Sequence, residues 1–118
     1  MRRIGLLAVF LIFFAVASTA YAHPPSDIKI TFDPNTKVVT AVIMHNVSNP
    51  GSHYIKKVDL GLNGKEIIEH LISRQDNNDN QTVSYLIPDV KDGDTLSVEG
   101  YCSISGKLTR EIVVKMGK

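Results

Sequence analysis

The chain has a single cysteine, Cys102, and three of its four histidines occupy positions from which they could join it. These three are His23, His45 and His53. Imidazole nitrogens and a thiolate sulfur suit iron, copper or zinc better than calcium or magnesium. A bound metal also holds a cysteine sulfur as the thiolate, which is the form that coordinates. These four residues are therefore the candidate metal ligands.

Each candidate ligand also has a purely structural interpretation. His23 could be a frayed residue at a mature terminus. His45 and His53 could be polar residues at strand ends that hydrogen-bond to loop backbone. Cys102 could be a small buried hydrophobic residue, as free cysteines often are. The fourth histidine, His70, lies inside a predicted strand and is expected to be a solvated side chain.

The first part of the chain has the features of an export signal. Residues 2–3 are arginines, residues 4–17 are apolar without interruption, and residues 20–22 form the small-x-small cleavage site Ala-Tyr-Ala. The apolar run is shorter than the roughly 20 residues that a membrane-spanning helix needs. We therefore expect residues 1–22 to be a removed signal peptide. Residues 23–118 would then be one domain in the periplasm or outside the cell.

Composition limits the functions open to such a domain. Loss of the two arginines would leave 11 basic side chains against the 12 acidic ones. This balance does not support a nucleic-acid site or a membrane-surface patch, so neither partner is expected. Small exported domains often need a disulfide or a metal to stabilise a modest core. A single cysteine excludes a disulfide within one chain.

Apolar residues after the predicted cleavage site recur with a period of two, which indicates β-strands. The predicted strands cover residues 28–32, 38–44, 54–62, 66–73, 82–87, 96–102 and 108–116. Asn63-Gly64 is a strong hairpin signal between the third and fourth of them. Arg110 interrupts the alternation of the last strand, which indicates a bulge or an edge position. Seven short strands with turns at this spacing predict an all-β, immunoglobulin-like antiparallel sandwich.

The four candidate ligands fall near the ends of predicted strands. His23 precedes the first strand and His45 follows the second. His53 opens the third strand, and Cys102 closes the sixth. The spacing alone is weak support for a metal site, because no local motif joins residues so far apart.

Three segments support a more specific interpretation. Residues 45–55 read HNVSNPGSHYI, residues 62–65 read LNGK, and residues 101–106 read YCSISG. Together they resemble the iron-binding domain of superoxide reductases, the desulfoferrodoxin and neelaredoxin family, over nearly all of residues 23–118. Members of that family are immunoglobulin-like sandwiches. Their ferrous iron has four equatorial histidines, an axial cysteine and one position open for superoxide.

The resemblance implies that His23, His45 and His53 are iron ligands and that Cys102 is the axial ligand. It also implies an oxidoreductase that reduces superoxide to hydrogen peroxide with electrons from an external donor. Ser105 stands where the family has its fourth histidine, so the chain resembles a divergent member in which metal binding could persist without the activity. Cleavage before His23 would free an α-amine that could supply the missing nitrogen.

Two other classes of function remain open. Periplasmic copper carriers can be small sandwiches whose mature chain begins with His-Pro, as His23-Pro24 would, and a histidine-amine chelate suits Cu(II). Residues 53–55, 62–65 and 93–99 also resemble the sandwich subunit of a sulfur-oxidation complex. A shared fold would explain that second likeness without a shared function.

Overall fold

A computed structural model describes residues 23–117, which fold into seven β-strands. The strands are β1 (Asp27–Asp33), β2 (Val38–Met44), β3 (Ile55–Leu62), β4 (Lys65–Leu71), β5 (Asn80–Leu86), β6 (Thr95–Cys102) and β7 (Lys107–Val113). The predicted signal peptide, residues 1–22, lies outside the described residues. Within residues 23–117, no helix is long and apolar enough to cross a membrane.

The strands form two antiparallel sheets. One sheet has the order β1-β2-β5, and the other has the order β4-β3-β6-β7. A constant-type immunoglobulin sandwich has the same order, except that its fourth strand pairs with the fifth and not with the third. The predicted all-β antiparallel sandwich of seven strands is therefore confirmed.

Alternating side chains from both sheets build the core between them. Its buried members are mostly β-branched or leucine, which suits a pleated surface packed on one side. They are Ile28, Val39, Ala41, Ile43, Ile55, Val58, Leu60, Val83, Ile87, Val90, Leu96, Val98 and Val114. Gly100 lets the sheets approach closely, because a Cβ there would lie 3.2 Å from Ile43 Cγ2.

Two local predictions are confirmed by the strand register. Asn63 and Gly64 form a two-residue hairpin loop with φ values of 53° and 84°, as a type I′ turn requires. Arg110 lies on β7, which is an edge strand, and β7 pairs with β6 without a register shift. The interruption at Arg110 therefore marks an edge position and not a bulge. Its Nε lies 3.3 Å from an Asp27 carboxylate oxygen.

Two other expectations need correction. β5 begins at Asn80, two residues before the predicted start at residue 82, because Gln81 already follows the inward alternation and is buried. His70 is not fully solvated: it is half-buried, and its Nδ1 lies 2.9 Å from the Tyr85 hydroxyl on the opposite sheet. Burial, together with the charge of Asp59, raises the pKa of Tyr85 to about 12. This hydroxyl therefore keeps its proton near neutral pH.

A pair of leucines tests where the core lies. Leu60 is 0% exposed in β3, whereas Leu71 is 73% exposed in β4. Leu60→Ala should lower the free energy of unfolding by about 2 to 5 kcal/mol, since it leaves a cavity. Leu71→Ala should change it by less than about 0.5 kcal/mol. Urea denaturation measures both, and similar losses in the two variants would contradict this assignment of the core.

Candidate metal centre

Four strand ends meet at one end of the sandwich. In the first sheet, the start of β1 pairs with the end of β2, with Asp27 opposite Met44. In the second sheet, the start of β3 pairs with the end of β6, with Ile55 opposite Cys102. The chain segments that continue from these ends carry His23, His45 and His53. Antiparallel pairing thus brings together histidines that are far apart in sequence.

The three histidine rings converge at this end. Ring centroids are 4.8 Å apart for His23 and His45, 5.0 Å for His23 and His53, and 4.9 Å for His45 and His53. One nitrogen from each ring lies within 4.8 Å of the others. The three histidines therefore lie close enough to bind one metal ion. Nitrogens on a single ion are about 3 to 4.2 Å apart, so the rings would close slightly on binding.

His45 is the most deeply placed of the three. It follows β2 and is only 1% exposed. Its Nδ1 lies 2.8 Å from Gln75 Oε1, and its Nε2 lies 3.3 Å from the carbonyl oxygen of His23. Its own N–H donates to the Asp79 carbonyl. Ring and backbone are thus both held in place before any ion binds.

His53 presents an unsatisfied nitrogen to the cluster. It is half-buried, yet its Nε2 is inaccessible to water and has no hydrogen-bond partner among the described residues. Buried polar atoms usually have a partner, so a nitrogen without one among the described residues is available to bind an ion. Burial and the nearby His45 and His23 rings lower the pKa of His53. Its neutral form, which has a lone pair to donate, is therefore favoured.

His23 is held by backbone carbonyls. Its Nδ1 lies 3.1 Å from the Pro24 carbonyl oxygen and its Nε2 lies 3.0 Å from that of Asn46. A ring nitrogen that coordinates a metal cannot also donate a hydrogen bond. A neutral imidazole carries a single N–H, so His23 donates to only one of these two carbonyl oxygens, and the other ring nitrogen keeps the lone pair that could bind an ion.

Cys102 pairs with Ile55, two residues after His53, but it is not one of the three side chains whose ligand atoms converge. It is 2% exposed and free, and its sulfur accepts a hydrogen bond from the Ile104 N–H at 3.4 Å. Reciprocal backbone and side-chain hydrogen bonds tie Ser103 to Tyr54, the residue after His53. The burial of Cys102 agrees equally with a packing role and with a thiol that binds a metal, so coordination by Cys102 stays a prediction.

The loop after Cys102 packs against Pro24, the residue that follows His23. Ser105 is exposed in this loop, and Gly106 has a φ of +94°. A Cβ on Gly106 would lie 2.8 to 3.0 Å from three atoms of Pro24. This glycine therefore allows the segment that carries His23 to pack against the end of β6.

A depression of about 250 Å³ opens beside the histidines and is lined by His23, Ser26, His45 and Asn46. Its lining is mostly polar, with two of the candidate ligands on its wall. A small molecule could reach an ion held by the three rings from this side.

Sequence reasoning missed one residue of the centre. Gln75 lies between the predicted fourth and fifth strands, and it is 1% exposed and contacts His45 directly. Nothing in the local pattern distinguishes it from the polar residues that follow it, because its partners are distant in sequence.

Comparisons of the chain with protein-family models, with curated proteins and with solved structures found no match.

The lowered pKa of His53 predicts how stability changes with pH in the metal-free protein. Because the pKa lies below the ordinary value of 6.5, the unfolded chain takes up a proton more readily than the folded chain. This contribution is fully present above about pH 6.5 and is lost as the pH falls towards the folded pKa. His53→Gln should flatten the decline in unfolding free energy between about pH 7 and pH 5. Urea denaturation across this range measures it, and an unchanged slope would contradict the shift.

Alanine substitutions at two glycines distinguish the loss of packing beside His23 from backbone strain alone. Gly106 and Gly93 both have positive φ, but a Cβ on Gly93 would meet nothing within 4 Å. Alanine at either position should cost about 1 kcal/mol of stability or more. Only Gly106→Ala should also displace Pro24 and weaken metal binding. Isothermal titration with metal measures this, and equal affinities in the two variants would show that the contact does not position His23.

Proposed function

We propose that residues 23–117 bind one transition-metal ion through His23, His45 and His53. We propose further that the ion is iron, in a redox role like that of superoxide reductase. The observation that carries the proposal is the convergence of the three rings, with His53 Nε2 buried and unpartnered among the described residues. Imidazole suits iron, copper and zinc. The choice of iron among these metals rests on the resemblance of residues 45–55 and 101–106 to the superoxide reductase family.

The described residues fit such an ion. His23, His45 and His53 can supply neutral nitrogen donors, so the three rings would not cancel the positive charge of the ion. The adjoining depression of about 250 Å³ would therefore attract a small anion, and superoxide is one. Iron, when bound, would supply the one-electron chemistry. The role of the chain is to hold the site, leave one side open and admit the anion to it.

Cys102 is proposed as a further ligand on the core side. Cys102 lies opposite Ile55 in the sheet, and Ile55 follows His53 by two residues. The Ile104 N–H already points at the sulfur, which supplies a donor to a thiolate. Coordination would need the sulfur and the rings to move towards each other. The free α-amine of a chain cleaved before His23 is the other proposed source of a ligand.

Metal binding by histidine variants tests the first part of the proposal. Wild-type protein should bind one Fe(II) per chain under anaerobic conditions, measured by equilibrium dialysis and metal analysis. His45→Ala and His53→Ala should each weaken binding at least tenfold, since even residues that only orient a ligand cost 10- to 100-fold. His70→Ala is the matched control, because His70 contacts Tyr85 and lies outside the cluster. Binding that is absent in wild type, or equal in all variants, would refute the site.

The same preparations distinguish the redox role from metal carriage. A coordinated Cys102 thiolate should give oxidised iron protein a visible charge-transfer band, which a reductant bleaches and Cys102→Ser removes. Superoxide consumption by the iron form supports the enzyme. Tight stoichiometric copper binding without superoxide consumption would favour a copper carrier instead. A parallel measurement on a chain that begins at His23 isolates the contribution of the α-amine.

A further inference from the structure

The side-chain amide of Gln75 connects three parts of the chain at the metal centre. Its Nε2 donates to the carbonyl oxygens of His45, at 2.8 Å, and of Asn77, at 2.9 Å. Its Oε1 accepts from the Ile55 N–H at 3.2 Å and lies 2.8 Å from His45 Nδ1. Gln75 is 1% exposed, so water does not compete for these contacts. All four polar positions of the amide are therefore used inside the protein.

These partners fix which way the amide points. The carbonyl oxygens of His45 and Asn77 can only accept, and the Ile55 N–H can only donate. Exchanging oxygen and nitrogen in Gln75 would place its oxygen against two carbonyl oxygens and its NH₂ group against the Ile55 N–H. Three favourable contacts would become repulsive in a buried setting, where unsatisfied polar groups are costly. Only one orientation of the amide is compatible with its surroundings.

The orientation of the amide decides the tautomer of His45. Because Gln75 Oε1 is an acceptor, His45 Nδ1 must carry the hydrogen that lies between them. A neutral imidazole carries a single N–H, so Nε2 retains its lone pair. This nitrogen lies on the side of His23, 3.3 Å from its carbonyl oxygen. A contact of that length without a hydrogen is only a van der Waals neighbour, and Nε2 is left available to an ion.

We infer that Gln75 is a positioning residue that selects the Nδ1–H tautomer of His45 and so presents its Nε2 to the metal. The part of the inference that concerns metal rests on the proposed function. Metal-binding histidines commonly donate their second N–H to a carboxylate or carbonyl, which fixes both tautomer and ring orientation. Here the acceptor is a neutral amide. It orients the ring without adding negative charge to the centre.

The same amide also helps to position a second candidate ligand, His53. Ile55, which donates to Gln75 Oε1, begins β3 two residues after His53. One side chain thus links the end of β2 in one sheet to the start of β3 in the other. His45 and His53 are held in a common frame, so a change at Gln75 acts on both.

The tautomer can be measured without any metal. Long-range ¹H–¹⁵N correlation spectra of the metal-free protein should show His45 with a protonated Nδ1 and an unprotonated Nε2. The opposite tautomer would overturn the inference, whether or not the protein binds a metal. A protein with the expected tautomer that binds no metal would instead refute the proposed function and leave the selection of the tautomer standing.

Two substitutions separate positioning from a merely structural role. Gln75→Glu keeps an acceptor for His45 Nδ1 but loses the donor to the two carbonyl oxygens. Gln75→Met keeps the length and loses both. Each variant should be less stable than wild type. Only Gln75→Met should lose the tautomer preference and bind Fe(II) about 10- to 100-fold more weakly, with Gln75→Glu within about threefold of wild type.

Other outcomes for the variants would count against the inference. Equal losses of affinity in both, in step with stability, would show that Gln75 only supports the fold. Unchanged affinity in Gln75→Met would show that the tautomer is set by something else. If either variant fails to fold, the spectrum of the wild-type protein still decides.

Discussion

A buried amide has to satisfy every one of its hydrogen-bonding atoms, and at one end of this sandwich the amide of Gln75 does so by joining both sheets. Its partners are the backbone and ring of His45 after β2, the backbone of Ile55 in β3, and the connection that carries Asn77. A half-satisfied network in this position would cost more than an apolar contact. This network ties the segment that carries His45 to the start of β3, two residues after His53, and so relates the positions of two members of the histidine cluster.

The three histidines of the cluster differ in how firmly they are held. His45 is buried and fixed by Gln75, while His53 has a buried nitrogen without a partner among the described residues. His23 lies between the carbonyl oxygens of Pro24 and Asn46, and a neutral ring can donate to only one of them. The proposed centre would therefore combine a buried ring fixed by Gln75, a ring with a buried nitrogen available to an ion, and a ring that lies between two backbone carbonyl oxygens. Its open side faces the depression lined partly by Asn46.

Much of the fold follows from local signals. The period of two located all seven strands, and Asn63-Gly64 identified its hairpin, because strand alternation and turn chemistry are encoded by neighbouring residues. The start of β5 was missed because a glutamine, Gln81, occupies an inward position that is usually apolar. His70 was judged from its own strand alone, whereas its environment is set by Tyr85 on the other sheet.

At the histidine cluster, too, features that depend on distant contacts were not visible in the sequence. The grouping of His23, His45 and His53 was expected from the family resemblance, whereas their positions near strand ends gave only weak support; the structure brings the three rings together. Gln75 could not be found, because its role depends on contacts 20 and 30 residues away in the chain. The burial of Cys102 agrees with its inward place on β6, but burial alone does not distinguish packing from coordination.

X-ray absorption spectroscopy of the iron-loaded protein tests the central claim most directly, because the outer-shell scattering of imidazole rings counts the histidines on the metal. The account predicts three imidazoles, with an added sulfur scatterer if Cys102 moves into coordination. A first shell made of oxygen, with no more than one imidazole, would contradict it. That result would mean that the rings of His23, His45 and His53 meet without forming a metal site.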